Sequence, residues 1–207
     1  MRPLTALMTG LALALTLAAC QKATTAVTAD DMSLGSPKAP VTVIEYASVS
    51  CPHCADWAKE VFPAFKAKYV DTGKVRYVAR EALTSDPAIA AAGFLTARCA
   101  GKDKYFQVVD AIYRAQQEMF TSGQPHAVLL RIAQSAGLTD AQFEACIKDE
   151  AALNALNSRW ERYMRDDHIN ATPTFVINGK LYDKGELTMP EMDAAVAEAS
   201  AGAKAAS

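Results

Sequence analysis

The hydrophobic residues of the chain recur with two periods, one typical of strands and one typical of helices. A run rich in Val, Ile and Tyr at 41–46 predicts a strand at the centre of a sheet. An apolar stripe with helical spacing follows up to residue 69, where Pro63 predicts a kink and Gly73 a stop. Alternation over 74–80 predicts a second strand, parallel to the first, so this part of the chain forms a βαβ unit.

The middle of the chain carries helical patterns only. Asp86 followed by Pro87 is typical of a helix start, and Thr139 with Gln142 predicts a capping box for a later helix. Apolar spacing and these signals together predict five consecutive helices within 86–167.

Two short strands and a closing helix are predicted after the helical block. The runs 174–177 and 180–183 flank Asn178-Gly179, a dipeptide that strongly favours a two-residue hairpin turn. A last helix is predicted over 189–199. The order is therefore βαβ, a helical insertion and then ββα, which is an α/β fold.

Composition and charge narrow the class of protein. The chain has 207 residues, of which 51% are hydrophobic, enough for one well-packed domain with an insertion. The formal net charge of −2 comes without a basic stripe, so nucleic acid is not expected as a partner. The segment 201–207 is expected to be a disordered tail.

The N-terminus has the features of an export signal. A positively charged start and an apolar segment too short to span a bilayer predict a signal peptide over 1–19. The segment runs into Leu17-Ala-Ala-Cys20, which resembles a bacterial lipobox and implies acylation of Cys20; a plain secretory signal is the alternative. Residues 20–33 are then expected to tether the lipid to the domain. Gln21 favours the outer membrane, by the sorting habit of enterobacterial lipoproteins.

Four cysteines remain when Cys20 is set aside as an anchor, and an even number in an exported chain suggests paired sulfurs. Cys99 and Cys146 both lie in the helical block and are candidates for a structural disulfide. Two separate buried thiols are the alternative for this pair.

Cys51-Pro52-His53-Cys54 carries the strongest chemical signal, because it follows a strand and opens a helix. Thiol–disulfide exchange needs an exposed thiolate of low pKa and a second thiol within reach. Cys51, ahead of the helix, fits the first role, and Cys54, one turn inside and buried, fits the second. Pro52 fixes the first helical turn. A cationic His53 beside the Cys51 sulfur would favour its thiolate, which makes the disulfide a better oxidant.

Other uses of a Cys-x-x-Cys motif fit the chain less well. A zinc site would need a second cysteine or histidine pair at metal spacing, and a c-type haem site would need His where Ala55 stands. A disulfide across two residues adds little stability. No metal ion is therefore expected, and redox chemistry is favoured.

A second signal lies far downstream, at Thr172-Pro173 ahead of the strand 174–177. A proline at the first position of a strand cannot donate to the ladder, and its peptide bond is sometimes cis. On its own this signal is weak.

Taken together, Cys-Pro-His-Cys after a strand, a large helical insertion and Thr-Pro-Thr-Phe-Val-Ile-Asn-Gly resemble the DsbA family of thioredoxin-fold oxidoreductases, over 34–199. The resemblance implies a thioredoxin-like domain from 34–85 and 168–200, with 86–167 as an inserted helical domain.

The resemblance also implies roles for individual residues. Cys51 would be the nucleophile, Cys54 the resolving thiol and Pro173 a cis proline facing Cys51, with the backbone of Thr172 offered to an extended substrate. Glu45 would be a buried acid that assists proton transfer from Cys54; an ordinary strand residue facing solvent is the alternative. Thr172 departs from the valine of the best-known enterobacterial oxidase, which leaves the choice between oxidase and isomerase open.

The expected function is that of a thiol:disulfide oxidase acting on reduced, newly exported proteins. It is expected to need no metal or organic cofactor, to be a monomer in the periplasm and to be reoxidised by a DsbB-type membrane partner. The lipid anchor is expected from the lipobox at Cys20 and departs from the soluble periplasmic members of the family. An isomerase or reductase of the same superfamily is one alternative. A lipid-anchored copper-binding module that uses the two thiolates is another.

Overall fold

The computed structural model describes residues 26–205, together with the side chains of residues 26–203. The predicted signal peptide, 1–19, and Cys20 lie outside the described residues. Within 26–205 no helix has both the length and the apolar character needed to cross a membrane.

A five-stranded mixed sheet forms the centre of the molecule. Its strands are β1 (Met32–Leu34), β2 (Val41–Ala47), β3 (Val75–Glu81), β4 (Thr174–Ile177) and β5 (Lys180–Tyr182), in the spatial order β1-β3-β2-β4-β5. The strand β2 is central, as its apolar sequence predicts, and pairs in parallel with β3 and antiparallel with β4. The βαβ unit and the β4–β5 hairpin are both confirmed.

Two helices and a π-helical turn connect β2 with β3. The helix α1 (Pro52–Glu60) ends where α2 (Phe62–Phe65) begins, and the π-helical turn Lys66–Val70 follows. The interruption agrees with the kink predicted at Pro63, because proline has no N–H for the helical ladder. The break keeps Trp57 and Phe65 in one buried apolar cluster on the sheet.

Five helices fill the chain between β3 and β4, as predicted. They are α3 (Pro87–Cys99), α4 (Tyr105–Ser122), α5 (Pro125–Ser135), α6 (Asp140–Ile147) and α7 (Glu150–Asp166). The carboxylate of Asp86 accepts hydrogen bonds at the start of α3, and the capping box of Thr139 and Gln142 is present at α6. The helix α4 ends at Ser122, and the following residue, Gly123, has a left-handed φ of 66°.

The largest apolar cluster joins the helical insertion to the end of β2. Val49, Cys51 and Cys54 belong to the same buried cluster as side chains of α3 to α7. Gly93 of α3 makes this packing possible, because a Cβ there would lie 2.7 Å from Cγ2 of Val49. The dithiol is therefore built into the contact between sheet and insertion. The division at residues 85 and 168 stays a prediction.

Two expectations about the ends of the domain are wrong where the structure describes them. Within the expected tether 20–33, Met32 and Ser33 belong to β1, which pairs antiparallel with β3. The side chains of Asp31 and Arg80 form a buried ion pair 3.2 Å apart that fixes this segment. The strand was missed because three residues are too few to show an alternating pattern.

The expected disordered tail, 201–207, is also wrong over 201–205. A single helix, α8 (Met189–Ala205), covers the predicted range 189–199 and continues for six more residues. Alanine has the highest intrinsic helix propensity, so this Ala-rich sequence extends the helix although it looks like low complexity.

Candidate active site

The two cysteines of the dithiol lie where β2 leads into α1. Cys51 has extended backbone angles and caps α1, with Pro52 in the first turn. Cys51 is 4% exposed and Cys54 0%, so the expected difference in exposure is small. Both sulfurs carry free thiols in this structure.

The surroundings of Cys51 favour its thiolate. A hydrogen bond from the Cys54 side chain is the largest influence on the pKa of Cys51, which falls from the usual 9.0 to about 5. Burial opposes this shift, while hydrogen bonds from the Thr172 side chain and from the backbone N–H groups of Cys54 and His53 add to it. These N–H groups belong to the first turn of α1, whose positive end stabilises an anion.

Cys54 has the opposite character. Burial raises its pKa well above the usual 9.0, and the hydrogen bond to Cys51 and the charges of Cys51 and Glu45 raise it further. One sulfur is therefore the thiolate at neutral pH and the other stays a thiol that donates to it. This division of roles is the one that a nucleophile and a resolving thiol require.

The side chain of His53 has an acidic partner that the sequence did not predict. Its Nδ1 atom is 2.7 Å from Oε1 of Glu186, in the loop before α8, and the imidazole is largely exposed. This contact raises the pKa of His53, so the ring is more readily cationic. The backbone N–H of His53 is one of the groups that lower the pKa of Cys51, and the charge of Cys51 in turn helps to raise the pKa of His53.

The loop before β4 closes over Cys51. The peptide bond between Thr172 and Pro173 is cis. The Cys51 sulfur lies 3.4 Å from the carbonyl oxygen of Thr172, to which it donates a hydrogen bond when it is protonated. The structure thus brings together the two parts of the sequence, 121 residues apart, that the family resemblance joins.

Glu45 is buried in β2 and does not face solvent. It is 3% exposed, and the hydroxyl of Tyr77 donates a short hydrogen bond to its carboxylate. Burial is the largest cause that raises the pKa of Glu45 from 4.5 to about 8. The carboxyl group is therefore mostly protonated at neutral pH, and it acts on Cys54 through its charge when ionised.

Glu45 borders a mainly apolar cavity of about 340 Å³. Its walls come from α1, α2 and α4, so it lies between the sheet and the helical insertion. The side chains of Trp57, Tyr77 and Tyr113 are part of its lining. Low polarity on this side explains why Glu45 holds its proton.

Several polar residues around the dithiol were not found from the sequence. The side-chain amide of Gln116 donates to the carbonyl oxygens of Val49 and Cys51, both at 3.0 Å. Ser48 and Ser50 lie beside Cys51 and bond to the segment after β3. Gln116 could have been noticed, because it is the polar member of the apolar stripe of α4, one turn after Ile112.

Cys99 and Cys146 are joined by a disulfide in this structure. The bond links the last residue of α3 to the penultimate residue of α6, with the two Cα atoms 6.2 Å apart. It is separate from the Cys51–Cys54 pair.

A family model described as thioredoxin matches residues 27–198. A Rickettsia typhi protein, provisionally named a protein-disulfide oxidoreductase, is 32% identical over 159 residues, which make up 76% of this chain and 58% of that protein. A Bacillus anthracis protein, provisionally named disulfide bond formation protein D, is 30% identical over 72% of this chain and 70% of its own length. The chain thus spans little more than half the length of the Rickettsia relative.

The crystal structure of alpha-DsbA1 from Wolbachia pipientis has the same fold. It superposes with a TM-score of 0.77 and 27% identity, covering 86% of this chain and 95% of that one. Sheet, insertion and dithiol define a thioredoxin-fold protein with a redox-type site. The chain belongs to the thioredoxin family, and within it the chain is DsbA-like.

Proposed function

We propose that the protein is a thiol:disulfide oxidase that introduces disulfide bonds into reduced, exported proteins through a Cys51–Cys54 disulfide. The observation that carries the proposal is the unequal pair of thiols: the pKa of Cys51 is lowered to about 5, whereas that of Cys54 is raised. A stabilised Cys51 thiolate favours the reduced form of the pair, so the disulfide form readily accepts electrons.

The reaction consists of two thiol–disulfide exchanges. A substrate thiolate attacks the Cys51 sulfur, the Cys51–Cys54 bond breaks, and Cys54 leaves with the electron pair. A second substrate thiolate then attacks the substrate sulfur of the mixed disulfide and releases Cys51 as a thiolate. The substrate has lost two electrons and gained a disulfide, and the dithiol has gained both electrons.

The low pKa of Cys51 makes it a good leaving group in the second exchange. Cys54 is a poor one in the first, because its thiolate is unstable in its buried position. Protonated Glu45 would act as the proton source for the departing Cys54 sulfur. Thr172 would hold an extended substrate by its backbone, with Pro173 setting the direction of that strand.

The cellular setting of the proposal follows from the N-terminal sequence. Acylation of Cys20 would hold the enzyme at a membrane facing the periplasm, where reduced proteins arrive after export. A DsbB-type membrane protein would take the two electrons from the Cys51–Cys54 dithiol. The choice of the outer membrane rests on Gln21 alone.

A stoichiometric oxidation assay tests the proposal. The protein is oxidised, freed of oxidant and mixed with an unfolded, fully reduced test protein whose free thiols are counted over time. We expect the thiols to disappear in pairs as Cys51 and Cys54 become reduced. An unchanged thiol count would contradict the oxidase, and faster reduction of a disulfide-bonded protein by the reduced form would favour the reductase alternative.

A further inference from the structure

The cavity beside Glu45 has the size and the lining of a small-molecule binding site. Its volume of about 340 Å³ falls within the range of known ligand pockets. It lies between the sheet and the helical insertion, and ligand sites often form where two structural units meet. Aromatic rings dominate its walls, from Trp57, Phe62, Tyr77, Phe106 and Tyr113. A flat apolar ring could therefore be buried here against several aromatic side chains.

Two polar groups of the lining have no hydrogen-bond partner in the described part of the chain. The Tyr77 hydroxyl donates to Oε2 of Glu45, which leaves Oε1 of the same carboxyl group without a partner. The hydroxyl of Tyr113 has no partner either. Both residues are buried, with exposed fractions of 3% for Glu45 and 7% for Tyr113. Buried polar groups in folded proteins are nearly always hydrogen-bonded, so these two indicate a partner from outside the chain.

Oε1 of Glu45 and the Tyr113 hydroxyl both reach the space of the cavity. Among residues 26–203, the fully enclosed side-chain nitrogen and oxygen atoms without a partner are the Nε atoms of Arg76 and Arg159. The Glu45 and Tyr113 oxygens are therefore not enclosed by protein on all sides. Because both residues are buried and line the cavity, the open space next to these oxygens is the cavity itself.

The charges at the cavity favour a neutral occupant. Besides Glu45, the charged side chains of the wall are Lys66 and Asp110, which are both partly exposed. An ion pair of 2.6 Å joins Lys66 to Asp71. Another, of 2.8 Å, joins Asp110 to Arg114. A charged ligand would find no unpaired countercharge in the wall and would lose its hydration among apolar side chains.

We propose that this cavity binds a small, neutral aromatic molecule whose polar group both accepts and donates hydrogen bonds, as a carboxamide does. Because Oε2 of Glu45 accepts from Tyr77, the proton of the carboxyl group is on Oε1 and donates to the carbonyl oxygen of the ligand. The amide N–H of the ligand donates to the Tyr113 hydroxyl, and its ring lies among the aromatic walls. Binding of this kind does not depend on exchange at Cys51 and goes beyond the oxidase function.

A titration of the reduced, full-length protein with benzamide, followed by protein NMR, tests the site. We expect saturable shifts of the backbone amide signals from the cavity walls. Benzoate, which has the same ring and a carboxylate in place of the amide, should bind about tenfold more weakly or not at all, because its charge must be desolvated without a countercharge.

Variants of the lining locate the ligand. Glu45→Leu and Tyr113→Phe each remove one polar group and should weaken benzamide binding about threefold to tenfold. Glu45→Gln keeps a neutral donor, its side-chain amide, and should retain the affinity. Ala58→Leu enlarges a side chain of the wall and should abolish binding. Ala141→Leu, at an exposed position of α6, is the matched control and should bind like the native protein.

Each of three results would overturn the proposal. Equal binding of benzamide and benzoate, or full affinity in both Glu45→Leu and Tyr113→Phe, would contradict the proposed chemistry. Shifts that persist in Ala58→Leu would contradict the location, and Tyr113→Phe decides if that variant folds poorly. The absence of saturable shifts with benzamide would contradict the site as a whole. The titration uses no protein substrate, so its outcome is independent of the oxidase assay.

Discussion

Cys51→Ser is expected to abolish disulfide exchange, and Cys54→Ser is expected to stop the reaction at the mixed disulfide. Serine has no sulfur to form a mixed disulfide, so the first variant should fall to the uncatalysed rate. The second variant keeps Cys51, whose pKa is lowered mainly by the hydrogen bond from Cys54. In Cys54→Ser, a serine hydroxyl takes the place of the thiol that donates this hydrogen bond. It should react with disulfides and then stay bonded to them, because no resolving thiol remains.

Mass spectrometry after incubation with a small disulfide distinguishes these outcomes. We expect an adduct on Cys54→Ser and none on Cys51→Ser. The double variant Cys99→Ala/Cys146→Ala is the matched control, because it removes two sulfurs that lie outside the dithiol, and it should keep exchange activity below its melting temperature. Full activity of Cys51→Ser, or adducts that form equally well on it, would contradict the assignment of Cys51 as nucleophile.

Glu45→Gln is expected to stabilise the folded protein at pH 7 by about 3 kcal/mol. The pKa of Glu45 is near 4.5 in an unfolded chain and about 8 in the folded protein, mainly because of burial. Folding at pH 7 therefore requires the carboxyl group to take up a proton, which costs about 3 kcal/mol for a shift of this size. Glutamine needs no proton, and its side-chain oxygen can still accept the hydrogen bond from Tyr77.

The direction of this effect on stability, and the pH range over which it occurs, follow from the raised pKa of Glu45. The native protein should lose stability as pH rises from about 4.5 to about 8, and the glutamine variant should not show this part of the loss. Urea unfolding at several pH values measures the difference. Glu60→Gln, an exposed position at the end of α1, is the control and should leave the pH profile unchanged. A glutamine variant less stable than the native protein at pH 7 would contradict a protonated Glu45.

The sequence predicted most of the sheet and helices because the residues that form them have strong local signals. The strand β2 is a run of Val, Ile and Tyr, the β4–β5 hairpin contains Asn178-Gly179, and α6 has a complete capping box. The dithiol was found for the same reason, since Cys51 and Cys54 stand together in the chain.

The remaining parts of the site depend on contacts between distant segments. The strand β1 is set by pairing with β3 and by the Asp31–Arg80 ion pair, neither of which has a local signature. In the same way, the partner of His53 is Glu186, 133 residues away. The hydroxyl oxygens of Thr84, in the loop after β3, and Thr172 lie 2.6 Å apart although 88 positions separate them in sequence. Such contacts cannot be read from spacing, because they arise from the packing of whole elements.

The reduction potential of the Cys51–Cys54 pair tests the central claim most directly. Thioredoxin, whose nucleophile has a pKa of about 7, has a potential of about −270 mV. A pKa of about 5 adds thiolate stabilisation at pH 7 equivalent to about 50 mV. Equilibration with glutathione at pH 7, read by alkylation and mass spectrometry, should therefore give a potential of about −220 mV. A value at or below about −270 mV would contradict an oxidising site.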